Sequence, residues 1–161
     1  MQFRFLLVSC MLLLVIGAGC DNKIDSLFTP VEIPPPTNLA DSLYTETESG
    51  LKYYDLEVGT GSLAEAGFAV QYHFITWLSD GRVVNSSYST GFLQVTTLGN
   101  NNLIPGWSEG LDGMRTGGFR QLIIPPELAY GADGNDLLGI PANETIIMEL
   151  SLLGVGIPVD Q

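Results

Sequence analysis

The sequence predicts an α+β domain, in which an antiparallel sheet carries one short helix on its apolar face. Three observations support this. Five to six short segments have the alternation typical of strands, and turn residues separate them. Only one segment has helical spacing. Strands and helices do not alternate regularly along the chain, which argues against a parallel nucleotide-binding sheet.

The strands follow one another along most of the chain. In "FAVQYHFITWL", Val70, Tyr72, Phe74 and Leu78 fall on one face, and Ser79-Asp80-Gly81 predicts a hairpin into "RVVNSS". The other predicted strands are 51–58, 92–98, 119–125 and 145–153. Trp107, Leu111 and Met114 recur at i, i+4 and i+7, which predicts a short amphipathic helix over 107–114.

The N-terminus has the pattern of an export signal. An apolar run from Phe5 to Gly19 is about as long as a signal-peptide core. It ends in small residues before Cys20, resembling the lipidation site of bacterial lipoproteins. The first cysteine, Cys10, would leave with the signal, so no internal disulfide is expected. The predicted organisation is a signal peptide (1–19), a lipidated N-terminus with a flexible proline-rich tether (20–45), a domain (46–156) and a tail (157–161).

The chain is acidic, with 18 Asp and Glu against 6 Lys and Arg and a formal net charge of −12. A protein of this charge is repelled by nucleic acid and by anionic lipid headgroups. Neutral or cationic polypeptides remain compatible partners, although the acidity is explained most simply by solubility.

One familiar sequence pattern does not predict a catalytic site in this chain. Residues 106–110 read G-x-S-x-G, the nucleophile turn of serine hydrolases. However, His73 is the only histidine, it precedes Ser108, and Pro105 is a poor end for the strand that such a turn requires. We therefore interpret the match as coincidental and His73 as structural.

No metal or cofactor is expected either. One histidine and one cysteine that is expected to be acylated do not make a zinc site. Asp133, Asn135 and Glu144 have the spacing of a calcium loop, but Leu137 and Leu138 occupy positions that need an oxygen ligand and a glycine.

Several stretches together resemble an FKBP-type peptidyl-prolyl cis–trans isomerase over about residues 49–153. They are "SGLKYYDLEVGTG", "LSDGRVVNSS", "LIPGWSEGLDGM", "GGFRQLIIPPELAYG" and "GIPANETIIMELSLL". The resemblance implies a curved antiparallel sheet of five to six strands wrapped around one short α-helix. It also implies isomerisation of X–Pro bonds without cofactor or metal.

The resemblance also implies roles for individual residues. Trp107 would form the floor under the proline ring, and the Ile104 backbone N–H and the Tyr130 hydroxyl would each hold a substrate carbonyl. Leu103 would precede them in the wall, and Ile140 would close the side that faces the following loop.

This chain departs from the family pattern in the rim of the pocket. Phe74 replaces a tyrosine, Val84 a phenylalanine and Asn85 an aspartate, while Gln94 and Met148 align with two further phenylalanines. All remain expected substrate-binding positions except Gln94, whose alignment is ambiguous by a residue or two.

Two functions follow as expectations. The chain is an isomerase that assists the folding of exported proteins, or an FKBP-like peptide-binding module with weak or lost catalysis. In either case the expected partners are proline-containing polypeptides. The expected location is a bacterial cell envelope, with a lipid anchor in the membrane and the domain in the periplasm.

Overall fold

A computed structural model describes residues 32–100 and 103–158. The predicted signal peptide, Cys20 and the tether up to residue 31 lie outside the described residues, as does most of the predicted tail. No helix in the described ranges is long and apolar enough to cross a membrane.

The described chain forms one antiparallel sheet with a short helix on its inner face. The strands are β1 (Thr45–Glu46), β2 (Lys52–Glu57), β3 (Phe68–Leu78), β4 (Val83–Ser86), β5 (Gln94–Thr97), β6 (Phe119–Ile124) and β7 (Ile146–Pro158). The α-helices are α1 (Ser87–Thr90) and α2 (Pro105–Leu111), with single 3-10 turns at Asp41–Leu43 and Pro126–Leu128. The predicted fold class is confirmed.

The long strands β3 and β7 form the centre of the sheet. The strand order is β1-β2-β6-β7-β3-β4, and β5 pairs with the first half of β3 on the same side as β4. Side chains alternate between faces along a strand. Val70, Tyr72 and Phe74 of β3 are therefore buried on the inner face, as predicted.

The element bounds differ from prediction where local chemistry overrides periodicity. Helix α2 begins at Pro105, because proline is favoured in the first helical turn. It ends at Leu111, since Gly113 adopts a φ of 74° that a helix does not continue. Strand β7 runs to Pro158, beyond the domain end predicted at residue 156.

Residues 33–44 form a strap across the outer face of the sheet, although a flexible tether was predicted as far as residue 45. The Trp77 indole N–H donates to the Pro34 carbonyl at 3.2 Å, and the Thr37 N–H donates to Glu149 Oε1 at 2.8 Å. Gln121 Nε2 donates to the Thr37 carbonyl at 2.9 Å. Trp77 is fully buried on this face. The strap is therefore part of the domain, because it completes hydrogen bonds of the outer face.

Candidate active site

Helix α2 lies unusually close to β6, because two of its residues have no side chain. A Cβ on Gly106 would come within 2.4 Å of Ile124 Cγ2, and a Cβ on Gly110 within 2.2 Å of Leu122 Cδ1. Contacts between carbon atoms are normally about 3.5–4.0 Å. These are the two glycines of the G-x-S-x-G match, so close packing explains the pattern.

Arg120 of β6 fixes the end of this helix. Its Nη1 donates to the carbonyls of Gly110 at 3.1 Å and Asp112 at 3.3 Å, where a helix presents carbonyls without helical partners. Its Nε and Nη2 bind the Asp55 carboxylate at 2.7 and 3.0 Å. The guanidinium also lies 4.5 Å from the centre of the Tyr53 ring. Because α2 has only seven residues, this fixed end and the close contact of Gly106 with Ile124 together hold its start over the sheet.

That start places Trp107 against two aromatic residues of β3. The ring centroids are 4.6 Å from Phe74 and 5.9 Å from Tyr72, the latter edge-on. Trp107 is only partly buried, whereas Phe74 and Tyr72 are buried beneath it. The indole Nε1 is buried and has no hydrogen-bond partner among the described residues. Trp107 thus presents an apolar ring surface, as expected of a pocket floor.

A β-bulge brings two predicted rim residues to the same side. In the β3–β4 pairing, Thr76 faces Asn85 and Trp77 faces Val83, so Val84 is the extra residue. Val84 packs against the inner core, and Asn85 shares the inner face with Thr76. Both would face inward only with such a bulge, because neighbouring residues of a regular strand point to opposite faces.

Tyr130 and Ile140 belong to the segment between β6 and β7 and contact the same hydrophobic core as Trp107. Tyr130 is partly buried, and burial raises the pKa of its hydroxyl, which stays protonated and able to donate at neutral pH. Ile140 is held by paired hydrogen bonds with Asn135, at 2.9 and 2.8 Å. Its side chain is buried and closes this side of the core.

The structure brings the predicted residues into one cluster. Eight of them belong to the hydrophobic core or pack against it: Phe74, Val84, Leu103, Ile104, Trp107, Tyr130, Ile140 and Met148. Phe74, Ile140 and Met148 are at most 4 % exposed, so these three predicted binding residues belong to the buried core. Sequence reasoning missed the contact of Tyr72 with Trp107, although alternation placed Tyr72 on the inner face. Gln94 is the register partner of Tyr72 and therefore faces inward as well.

Ser108 and His73 do not form a nucleophile pair. Ser108 Oγ accepts from the Gly99 N–H at 3.4 Å. His73 Nδ1 is 2.9 Å from Ser87 Oγ, and its ring stacks on Tyr88 at 4.6 Å. His73 follows Tyr72 in β3 and faces the outer side. Within the described residues, no group of His, Cys, Asp or Glu side chains could hold a metal ion.

The structure thus brings the aromatic ring of Trp107, the aliphatic side chain of Val84 and the protonated hydroxyl of Tyr130 to the same core. An antiparallel sheet with a short helix on its inner face, carrying such residues, is the arrangement expected of the prolyl isomerases of the FKBP class.

Comparisons with known proteins place the chain in that class. Residues 61–153 match the family model described as FKBP-type peptidyl-prolyl cis-trans isomerase. The FK506-binding protein of Neisseria meningitidis is 41% identical over 106 residues, which cover 66% of this chain and 96% of that protein. The chloroplastic isomerase FKBP16-4 of Arabidopsis thaliana is 32% identical over 159 residues, covering 94% of this chain and 68% of that protein.

A solved structure shows the same fold. The crystal structure of FkpA from Escherichia coli superposes with a TM-score of 0.67 at 35% identity, over 74% of this chain and 54% of that one. This chain thus spans about half of the FkpA chain. The chain belongs to the FKBP-type peptidyl-prolyl cis–trans isomerase family, and its enzyme class is peptidyl-prolyl cis–trans isomerase.

Proposed function

We propose that the pocket over Trp107 isomerises X–Pro bonds of exported polypeptides and so assists their folding at the cell envelope. Rotation about a peptide bond meets a barrier of about 18–20 kcal/mol, because it breaks amide resonance. The twisted transition state has less charge separation than the planar amide. A dry apolar pocket therefore favours the transition state over the ground state, and no nucleophile or metal is needed.

Each residue contributes to that preference in a distinct way. Trp107 lies under the proline ring and excludes water from one face of the bond. The Tyr130 hydroxyl and the Ile104 N–H hold substrate carbonyls, which fixes the chain on both sides of the bond while the amide turns. Val84 and Leu103 complete the apolar wall, with Phe74, Ile140 and Met148 as support beneath it.

One observation carries the proposal. Helix α2 is held against β6 by its glycines and by Arg120, so the Trp107 ring lies over Phe74 in a fixed orientation. Catalysis by differential binding requires such rigid placement, because any freedom of the floor would let it fit ground and transition states equally.

A second function is a peptide-binding module with weak catalysis. It is favoured by Val84 and Asn85, which lie next to the bulge and would give the rim one aliphatic wall and one neutral amide. A less aromatic rim binds proline less tightly and excludes water less completely. The floor residues favour the enzyme, and the rim residues favour the module.

The test is isomerisation of a short X–Pro peptide by the full chain, solubilised in a mild detergent and measured at low temperature. Trp107→Ala should slow the catalysed rate in a protein that still folds, although the loss of ring packing on Phe74 and Tyr72 lowers its unfolding temperature. Tyr130→Phe should slow the rate at nearly wild-type stability, whereas Ser108→Ala should leave the rate unchanged. A wild-type rate equal to the spontaneous rate, together with peptide binding that Trp107→Ala abolishes, would establish the binding module instead.

The location rests on the N-terminal sequence. We propose that Cys20 is acylated and that the chain is a bacterial lipoprotein with its domain in the periplasm. The small residues before Cys20 support this, as does the absence of another cysteine after the predicted signal. Cells grown with labelled palmitate should label the wild-type protein and not the Cys20→Ser variant. Equal labelling of both proteins would refute the anchor.

A further inference from the structure

The outer face of the sheet carries a groove that the proline pocket does not use. Apolar and aromatic side chains line it, and its volume is about 330 Å³, at the lower end of the range for small-ligand sites. Its lining residues are Glu32, Ile33, Pro34, Ile75, Tyr88, Phe119 and Glu149. The groove lies between the strap and the short helix α1, on the side of the sheet opposite Trp107.

Glu149 is the unusual member of this lining. It is 8% exposed and lies in one row with Ile75 of β3 and Gln121 of β6. Its Oε1 accepts from the Thr37 N–H at 2.8 Å and from Gln121 Nε2 at 3.0 Å. Its Oε2 accepts no hydrogen bond from the described residues. Glu149 thus lines the groove with one carboxylate oxygen bound to the strap and to Gln121, while the other has no partner among the described residues.

No cation within the described residues neutralises this charge. The lysines and arginines there all bind elsewhere: Lys52 to Asp41, Arg82 to Asp80, Arg120 to Asp55, and Arg115 to the Gly61 carbonyl. The one histidine there, His73, stacks on the groove residue Tyr88 and pairs its Nδ1 with Ser87 Oγ. Charged groups are rarely buried so far without a partner of opposite charge. Glu32 adds a second carboxylate at the rim, in a chain whose net charge is −12. The charge of the groove is thus complementary to a cation.

The walls specify what kind of cation fits. Ile33, Pro34 and Ile75 provide apolar surface for an alkyl stem, while the rings of Tyr88 and Phe119 can face a positive charge. The geometry points to a site for a lysine or arginine side chain of an extended partner polypeptide. This is a second polypeptide-binding site on the outer face, and it does not depend on catalysis in the proline pocket.

The chain contains a direct reporter for each site. It has two tryptophans, and the Trp77 indole N–H donates to Pro34 at the edge of the groove, whereas the Trp107 indole lies in the proline pocket. The full ¹⁵N-labelled chain, in a non-ionic detergent, is titrated with a capped, proline-free pentapeptide that has one lysine between apolar residues. The Trp77 indole signal should move, and the Trp107 signal should not. A control peptide with norleucine in place of lysine should move neither signal.

Matched variants then test the role of the carboxylate. Glu149→Gln keeps an oxygen that can accept from the Thr37 N–H, so its unfolding temperature should stay near wild type. Its affinity for the lysine peptide should fall roughly 10-fold or more, because the charge pair is lost. Glu65→Gln removes the same charge from an exposed site outside the groove and should bind as wild type does. If Glu149→Gln folds poorly, Ile75→Lys offers a second test. It places a cation beside Glu149 and should block the peptide.

The proposal would be overturned if the lysine peptide leaves the Trp77 signal unmoved, or if Glu149→Gln binds the lysine peptide as well as the wild type does. It would also be overturned if only the Trp107 signal moves, which would place the peptide in the proline pocket. The chain's own Lys23 is a rival cation. If Lys23→Gln binds the peptide and the wild type does not, the occupant is that lysine, and the inference of a partner is wrong.

Discussion

The variant Gly106→Ala should disturb the packing of α2 on β6. The added Cβ would lie 2.4 Å from Ile124 Cγ2 and 3.2 Å from both Cβ and the carbonyl oxygen of Leu128. Ordinary carbon contacts need about 3.5 Å or more, so the helix start must retreat by roughly 1 Å. Ile124 cannot easily yield instead, because it is fully buried and its Cγ2 is fixed by the χ1 rotamer.

Overpacking of this kind costs about 1–3 kcal/mol, partly offset by about 0.5–1 kcal/mol from replacing glycine in a helix. We expect a net loss of roughly 1–2 kcal/mol, which lowers the unfolding temperature by roughly 3–10 °C for a domain of this size. Because Trp107 follows directly, a displacement of about 1 Å should also reduce kcat/KM roughly 10- to 100-fold.

Calorimetry and the peptide isomerisation assay measure the two effects, with Ser108→Ala as a control in the same helix. A Gly106→Ala protein with wild-type stability and activity would refute the claim that close helix packing positions the floor.

The remaining predictions concern Arg120, the strap and alkaline pH. Arg120→Gln breaks a largely buried ion pair and frees the end of α2, so urea denaturation should show that the free energy of unfolding falls by about 2–4 kcal/mol. An unchanged midpoint would contradict the role of Arg120 in holding α2. A chain that begins at residue 45 loses the strap. It should be about 2–3 kcal/mol less stable from its lost hydrogen bonds, with Trp77 fluorescence shifted to the red by water, and a spectrum like that of wild type would refute the role of the strap. Burial raises the pKa of the Tyr72 and Tyr130 hydroxyls, so the folded state holds these protons more tightly than the unfolded state. The free energy of unfolding from these groups should be constant below about pH 10 and fall above it, which alkaline melting curves can check.

Local patterns in the sequence predict the inner face of the fold well. The predicted range 68–78 matches β3 to the residue, and alternation identifies its inner face as far as Phe74, beyond which the strap also buries the outer face at Trp77. The sequence also predicts Trp107 at the start of a short helix, although the predicted helix covers 107–114 and α2 begins at Pro105. The roles assigned to Trp107, Ile104 and Tyr130 remain predictions until they are measured.

The features that the sequence does not reveal depend on contacts between distant residues. The strap is rich in proline and polar residues, a composition typical of a tether. Its hydrogen-bond partners Trp77, Gln121 and Glu149 lie more than forty residues further along the chain. The bulge at Val84 is equally hidden, because one extra residue changes pairing without changing composition. Helix α1 has four residues, too few for a periodic signal.

The strap also determines on which face of the sheet the described chain begins. Glu32 and Ile33 lie on the outer face, so the described chain enters the domain on the side of the sheet opposite Trp107. A polypeptide can therefore approach the Trp107 side of the sheet without meeting the strap.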